Sequence, residues 1–129
     1  MTKKEYITYW VETAQKDWKA VDDLYKSRNY VQALFWSHLV LEKLLKAHWV
    51  KDNVENVPPK IHRLGSILEK TNLDLSDAEK QFLTEMNQFQ LEGRYPDYLN
   101  NIYKIYKSKQ TKLILEQVNL IRICLLKEL

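Results

Sequence analysis

Apolar residues at Ile7, Trp10, Val11, Ala14, Trp18, Val21, Leu24 and Tyr25 recur at helical spacing, and Thr2-Lys3-Lys4-Glu5 ahead of them has the form of a capping box. The spacing predicts a first helix ending near Lys26. Arg28-Asn29 breaks the pattern, with Asn29 placed to cap a second helix from Tyr30 to about Lys51. That segment is apolar at Val31, Ala33, Leu34, Phe35, Trp36, Leu39, Val40, Leu41, Leu44, Leu45, Ala47, Trp49 and Val50, more than one face can hold. A helix apolar nearly all round is enclosed by others, so this one is expected at the centre of the domain.

From Asp52 to Lys60 the chain carries Pro58-Pro59, which disfavours helix before it and predicts an extended linker. A short third helix is expected from about Ile61 to Lys70. Ser76-Asp77-Ala78-Glu79 is a second capping box, opening a fourth helix with Phe82, Met86, Phe89 and Gln90 on one side and a stop at Glu92-Gly93. Arg94-Tyr95-Pro96-Asp97 reads as a turn, and Tyr98 to Tyr106 fits either a loop or a distorted helical turn. Leu113, Ile114, Val118, Ile121, Cys124 and Leu125 then predict a fifth helix from about Ser108 to Lys127. The fold expected is all-α: an up-and-down bundle of about five helices, of the four-helix-bundle type, with one short helix after the proline linker.

Composition supports this reading. A chain of 129 residues, 45% hydrophobic, suits one domain over 1–129, and 2 Gly with 3 Pro are too few for the turns of an all-β fold. Net charge is +3, from 20 basic and 17 acidic residues, too even to mark a nucleic-acid binder by itself. The single Cys124 sits in an apolar run and reads as a small hydrophobe; no intrachain disulfide can form. The charged start Met-Thr-Lys-Lys-Glu-Tyr does not resemble a signal peptide, and no apolar run approaches a membrane span. A cytoplasmic protein without a membrane partner is expected.

Three features can carry chemistry. His38, Glu42 and Lys46 are spaced i, i+4, i+8 on the central helix, with Lys43 beside them. They form either a solvated strip with a Glu42–Lys46 pair or the lining of a groove or interface, and the spacing leaves both open. Arg94 precedes Tyr95-Pro96, which restricts the local backbone, and a guanidinium held there suits either phosphate recognition or a nearby carboxylate. Tyr98 to Leu115 holds Lys104, Lys107, Lys109 and Lys112 with Tyr103 and Tyr106 and no acidic residue, a short run that reads as a solvated face or a weak nucleic-acid grip. With Gly65 and Gly93 alone there is no dinucleotide fingerprint or phosphate-binding loop. His38, His48 and His62 match no zinc pattern, and no nucleophile–base pair stands out. No cofactor and no metal are expected, and no catalytic residue is assigned.

Trp18 to Tyr25, Asn29 to Ala47, Pro58-Pro59-Lys60-Ile61-His62-Arg63-Leu64 and Glu92-Gly93-Arg94-Tyr95-Pro96 together resemble the HEPN family of helical domains. Ser37 to Ala47 is the stretch that matches most recognisably. The resemblance implies a helical bundle, commonly a homodimer, that binds nucleotide or RNA. Some members are metal-independent ribonuclease toxins, and others pair with a minimal nucleotidyltransferase in toxin–antitoxin fashion. The ribonuclease members carry an arginine followed four to six residues later by a histidine. Here Arg94 is followed by Tyr95, Pro96, Asp97, Tyr98, Leu99, Asn100 and Asn101, so that histidine is absent. Cleavage would need another residue, His38 being one candidate, to move the proton. The expectation is therefore a nucleotide- or RNA-binding dimer with His38, Glu42, Lys43, Lys46 and Arg94 at its site. The alternatives are a ribonuclease using Arg94 and His38, and a non-catalytic dimer held by an ion-pair network of the same charged groups.

Overall fold

The two capping boxes form as the sequence predicts. In the computed structural model, which describes residues 1–90 and 95–129, the Thr2 side chain accepts from Glu5 N–H at 3.2 Å and opens α1 (Lys3–Lys26). Ser76 does the same for Glu79 at 3.1 Å, opening α4 (Asp77–Met86), and the Glu79 carboxylate accepts from Ser76 N–H at 2.9 Å. Each box satisfies backbone N–H groups that the first helical turn leaves open. Between them lie α2 (Tyr30–Asp52) and α3 (Leu64–Leu68), and after them a 3-10 turn (Asn87–Phe89), α5 (Pro96–Ile105) and α6 (Ser108–Lys127). The all-α bundle stands, with six α-helices among the described residues rather than about five.

The α1–α2 turn closes differently from expectation. Asn29 sits at the first capping position of α2, but its side chain makes no cap and donates to Ser27 Oγ instead. The turn is closed by backbone: Asn29 N–H donates to Leu24 O at 2.8 Å and Arg28 N–H to Tyr25 O at 3.0 Å. That 6→1 and 5→2 pairing needs a left-handed residue, and Arg28 supplies it with φ 66°.

Central α2 is enclosed as its apolar circumference requires, packed by α1, α3, α6 and the 3-10 turn. Leu34, Leu41, Leu44, Leu45 and Val50 are fully buried. Burying one such side chain stabilises by about 1.5–3 kcal/mol, which makes this helix the main source of cohesion.

Three stretches depart from the sequence reading. α3 covers Leu64–Leu68 rather than Ile61 to Lys70, because after Pro58-Pro59 the chain bends at Lys60, where Ile61 N–H donates to Pro59 O at 2.8 Å, is extended at Arg63, and has Leu64 N–H bound by the Asn87 side chain at 3.1 Å. α4 ends at Met86 and tightens into the 3-10 turn; the stop expected at Glu92-Gly93 lies outside the described residues. Tyr98 to Tyr106 is helical through Ile105, because Tyr95 is extended and Pro96 occupies the first helical turn, where its fixed φ is an advantage. The turn expected at residues 94–97 is thus the start of α5 from Pro96 onward, with Arg94 outside the described residues. α5 is tied to the bundle by buried Ile102, by the Tyr106 ring edge-on to Phe89 at 5.2 Å, and by Gln32 Nε2 donating to Tyr103 Oη at 2.8 Å. Among the described residues no helix is long and apolar enough to cross a membrane.

Candidate functional site

The polar stripe of α2 is buried. His38 is 1%, Glu42 4% and Lys46 6% exposed, so the solvated-strip reading does not hold. A charge in such surroundings must be paired, and Glu42 is held from two sides. Lys46 Nζ donates to Glu42 Oε2 at 3.0 Å, the i, i+4 pair that the spacing predicts. On the other oxygen, His62 Nδ1 lies 3.1 Å from Oε1. A carboxylate only accepts, so that nitrogen carries the proton and Nε2 of His62 is turned to other partners. His62 itself is half exposed.

Above this pair lies a cleft of about 290 Å³ lined by Phe35, Trp36, His38, Leu39, Glu42, His62, Phe89 and Gln90. α2 supplies its floor, the stretch after Pro58-Pro59 brings His62 to one side, and the 3-10 turn brings Phe89 and Gln90 to the other. Trp36 is 41% exposed, an unusual position on a helix otherwise buried along most of its length.

Two polar atoms at this cleft have no partner among the described residues: Nε2 of His38 and Oε1 of Gln90. A buried polar atom left so costs about 1–3 kcal/mol unless water or a ligand meets it. Burial pushes the His38 imidazole down to about 4; the nearby Glu42 charge, the Asn87 side chain and the His62 backbone offset this in part, while the His62 charge adds to it. His38 is therefore neutral at pH 7.

Lys43 and Lys46 are engaged within the chain. Lys43 Nζ lies 2.6 Å from Oδ2 of Asp17 on α1, and Lys46 also stands over the Trp10 ring, 5.5 Å from its centre. Both lysines thus tie α2 to α1. The structure brings together His38, Glu42 and Lys46 of the expected set and turns Lys43 toward Asp17. Arg94 lies outside the described residues.

His62 was not singled out by sequence reasoning, because its partner Glu42 is twenty residues away and no periodic pattern links them. Its place just after Pro58-Pro59, where the chain must turn back toward α2, was the available signal. The basic stretch Lys104, Lys107, Lys109 and Lys112 is exposed, and none of these lysines pairs with a described acidic residue. Cys124 is partly buried, and burial raises its thiol pKa. Among the described residues no three His, Cys, Asp or Glu side chains gather as a metal site would need.

A family model described as the HEPN domain matches residues 7–128 of the chain. No curated protein and no solved structure matches it.

Proposed function

Because that match spans nearly the whole chain, the protein belongs to the HEPN domain family, and we propose that it is a nucleotide- or RNA-binding module whose ligand enters the cleft on α2. The observation that carries this is the cleft itself: aromatic walls from Phe35, Trp36 and Phe89 around a small set of polar groups, His38, Glu42 and His62. Concave, mostly apolar sites with a few convergent polar groups are where small molecules bind. In this reading Glu42 positions His62, Lys46 and Lys43 hold the floor of the cleft in place, and Arg94, four residues beyond Gln90 in the chain, binds phosphate. The protein works as a homodimer, in a toxin–antitoxin setting with a nucleotidyltransferase as partner. The test is calorimetric titration with nucleotides and short RNAs at low salt. Wild type should bind, and Arg94→Ala and Glu42→Gln should each weaken binding at least several-fold. Absence of binding, or binding indifferent to both substitutions, contradicts the proposal.

One observation favours a second reading, a ribonuclease. A proton-transfer group works best with a pKa near the working pH. His38, held near 4, is poorly suited, and the imidazole whose geometry allows the task is His62, half exposed at the cleft wall with Nδ1 on the buried Glu42 carboxylate. Incubation of RNA with wild type and with His62→Ala decides it: cleavage lost in the variant supports this reading, and intact RNA with the wild type removes it.

A further inference from the structure

We propose that the cleft reads the base of its ligand, with His38 as the specificity-determining contact to the edge of a nucleobase, a flat heterocycle carrying hydrogen-bond donors and acceptors in its plane. The inference rests on the nucleotide reading above and deepens it.

The polar groups of the cleft divide into two kinds. Both oxygens of Glu42 are taken, one by Lys46 and one by His62. Nε2 of the half-exposed His62 stays open at the wall, and the two buried polar atoms of the cleft that the described residues leave unmatched are Nε2 of His38, on a side chain 1% exposed, and Oε1 of Gln90. Each of these two belongs to a group that both donates and accepts: a neutral imidazole and a carboxamide. Neither carries charge at neutral pH, in keeping with the lowered His38 pKa.

Uncharged groups of this type suit the edge of a base and not a phosphate. A phosphate set against His38 and Gln90 would lose its hydration with no charge on those two groups to replace it and would face the Glu42 carboxylate below. A base loses little on entering, and gains stacking on aromatic rings. Phe35, Trp36 and Phe89 line the cleft and provide those rings, Trp36 being 41% exposed. A site built on hydrogen bonds to a base also rejects the analogue lacking them, because its own polar atoms then stay unpaired. The phosphate of the same nucleotide lies outside this cleft.

Calorimetry on the full chain at high salt, where attraction to phosphate is screened, separates the two parts of a ligand. The probes are the four ribonucleosides, their 5′-monophosphates and ribose 5-phosphate. At least one nucleoside should keep most of the affinity of its monophosphate, and ribose 5-phosphate should not bind. His38→Leu should weaken that nucleoside about tenfold, the worth of one well-made buried hydrogen bond, without lowering the melting temperature. Gln90→Leu, at the rim, gives an independent loss should His38→Leu fail to fold. Ribose 5-phosphate binding as tightly as the nucleotide, or nucleosides indifferent to both substitutions, overturns the base reading and leaves the nucleotide reading standing. No binding of nucleoside, nucleotide or RNA overturns both.

Discussion

His38 and His48 lie on the same helix, both buried, and both have lowered pKa values because burial disfavours their charged form. Their surroundings differ. His48 Nε2 lies 2.7 Å from the carbonyl of Leu125 on α6, which can only accept, so this histidine donates across a helix–helix contact and fastens α6 to α2. His38 lines the cleft beside the Asn87 side chain, and its buried Nε2 makes no hydrogen bond among the described residues. One ring nitrogen of His48 is used by the fold; His38 has no such tie, and in the proposed function it is the one that meets the ligand. The same contrast separates the two ends of α2, a closed end packed by Leu44, Leu45, Trp49 and Val50 and an open end carrying Phe35, Trp36 and Leu39.

The largest effect should come from Glu42, which joins the two regions. Glu42→Leu leaves the buried Lys46 ammonium without its counter-charge and should cost about 3–5 kcal/mol in urea denaturation. A cost below 1 kcal/mol would mean that Lys46 escapes to solvent and that the pair is not part of the floor of the cleft.

Acidification should come next. His38 in the folded chain titrates near 4, below its ordinary value of 6.5, so above pH 6.5 it is neutral in both states and contributes no pH dependence. As pH falls from 6.5 toward 4 the unfolded chain takes up a proton that the folded chain does not, and stability drops by roughly 3 kcal/mol. His48 acts in the same sense. His38→Leu should therefore flatten the stability profile between pH 6.5 and 4 without abolishing its slope. A variant profile parallel to that of the wild type would break the comparison at His38.

A smaller effect divides the two histidines directly. His48→Leu removes the bond to Leu125 O and leaves that carbonyl unpaired, a loss of about 1–2 kcal/mol. His38→Leu replaces a polar atom that has no partner and should cost less. Equal losses in thermal melts would mean that both histidines serve the fold.

The smallest effect lies outside the contrast and controls for it. Arg28 adopts the left-handed region at φ 66°, where glycine is unstrained. Arg28→Gly should raise stability by up to about 1 kcal/mol and leave ligand affinity unchanged. A change in affinity would show that the α1–α2 turn communicates with the cleft.

Much of this was legible in the sequence because local rules governed it. Thr2/Glu5 and Ser76/Glu79 cap as their spacing dictates, α1, α2 and α6 follow their apolar period, and His38, Glu42 and Lys46 share a face because i, i+4, i+8 permits nothing else. What was not legible depended on tertiary return. Glu42 meets His62 only because the proline stretch brings the chain back across α2, and Lys43 turns to Asp17 on a different helix. Burial of the stripe likewise depends on what packs over it. α5 was ambiguous because its Tyr and Asn residues favour helix weakly, and Pro96, which reads as a breaker, starts the helix instead.

The central claim is that the cleft beside His38 takes a nucleotide or RNA while the closed end of α2 does not. The most direct measurement is the ring-nitrogen spectrum of the histidines during titration with a 5′-mononucleotide or short RNA that calorimetry shows to bind. The account predicts that the His38 and His62 resonances move to saturation together while those of His48 stay in place. Movement of His48 with His38 and His62 unmoved, or binding that leaves all three unchanged, would contradict it.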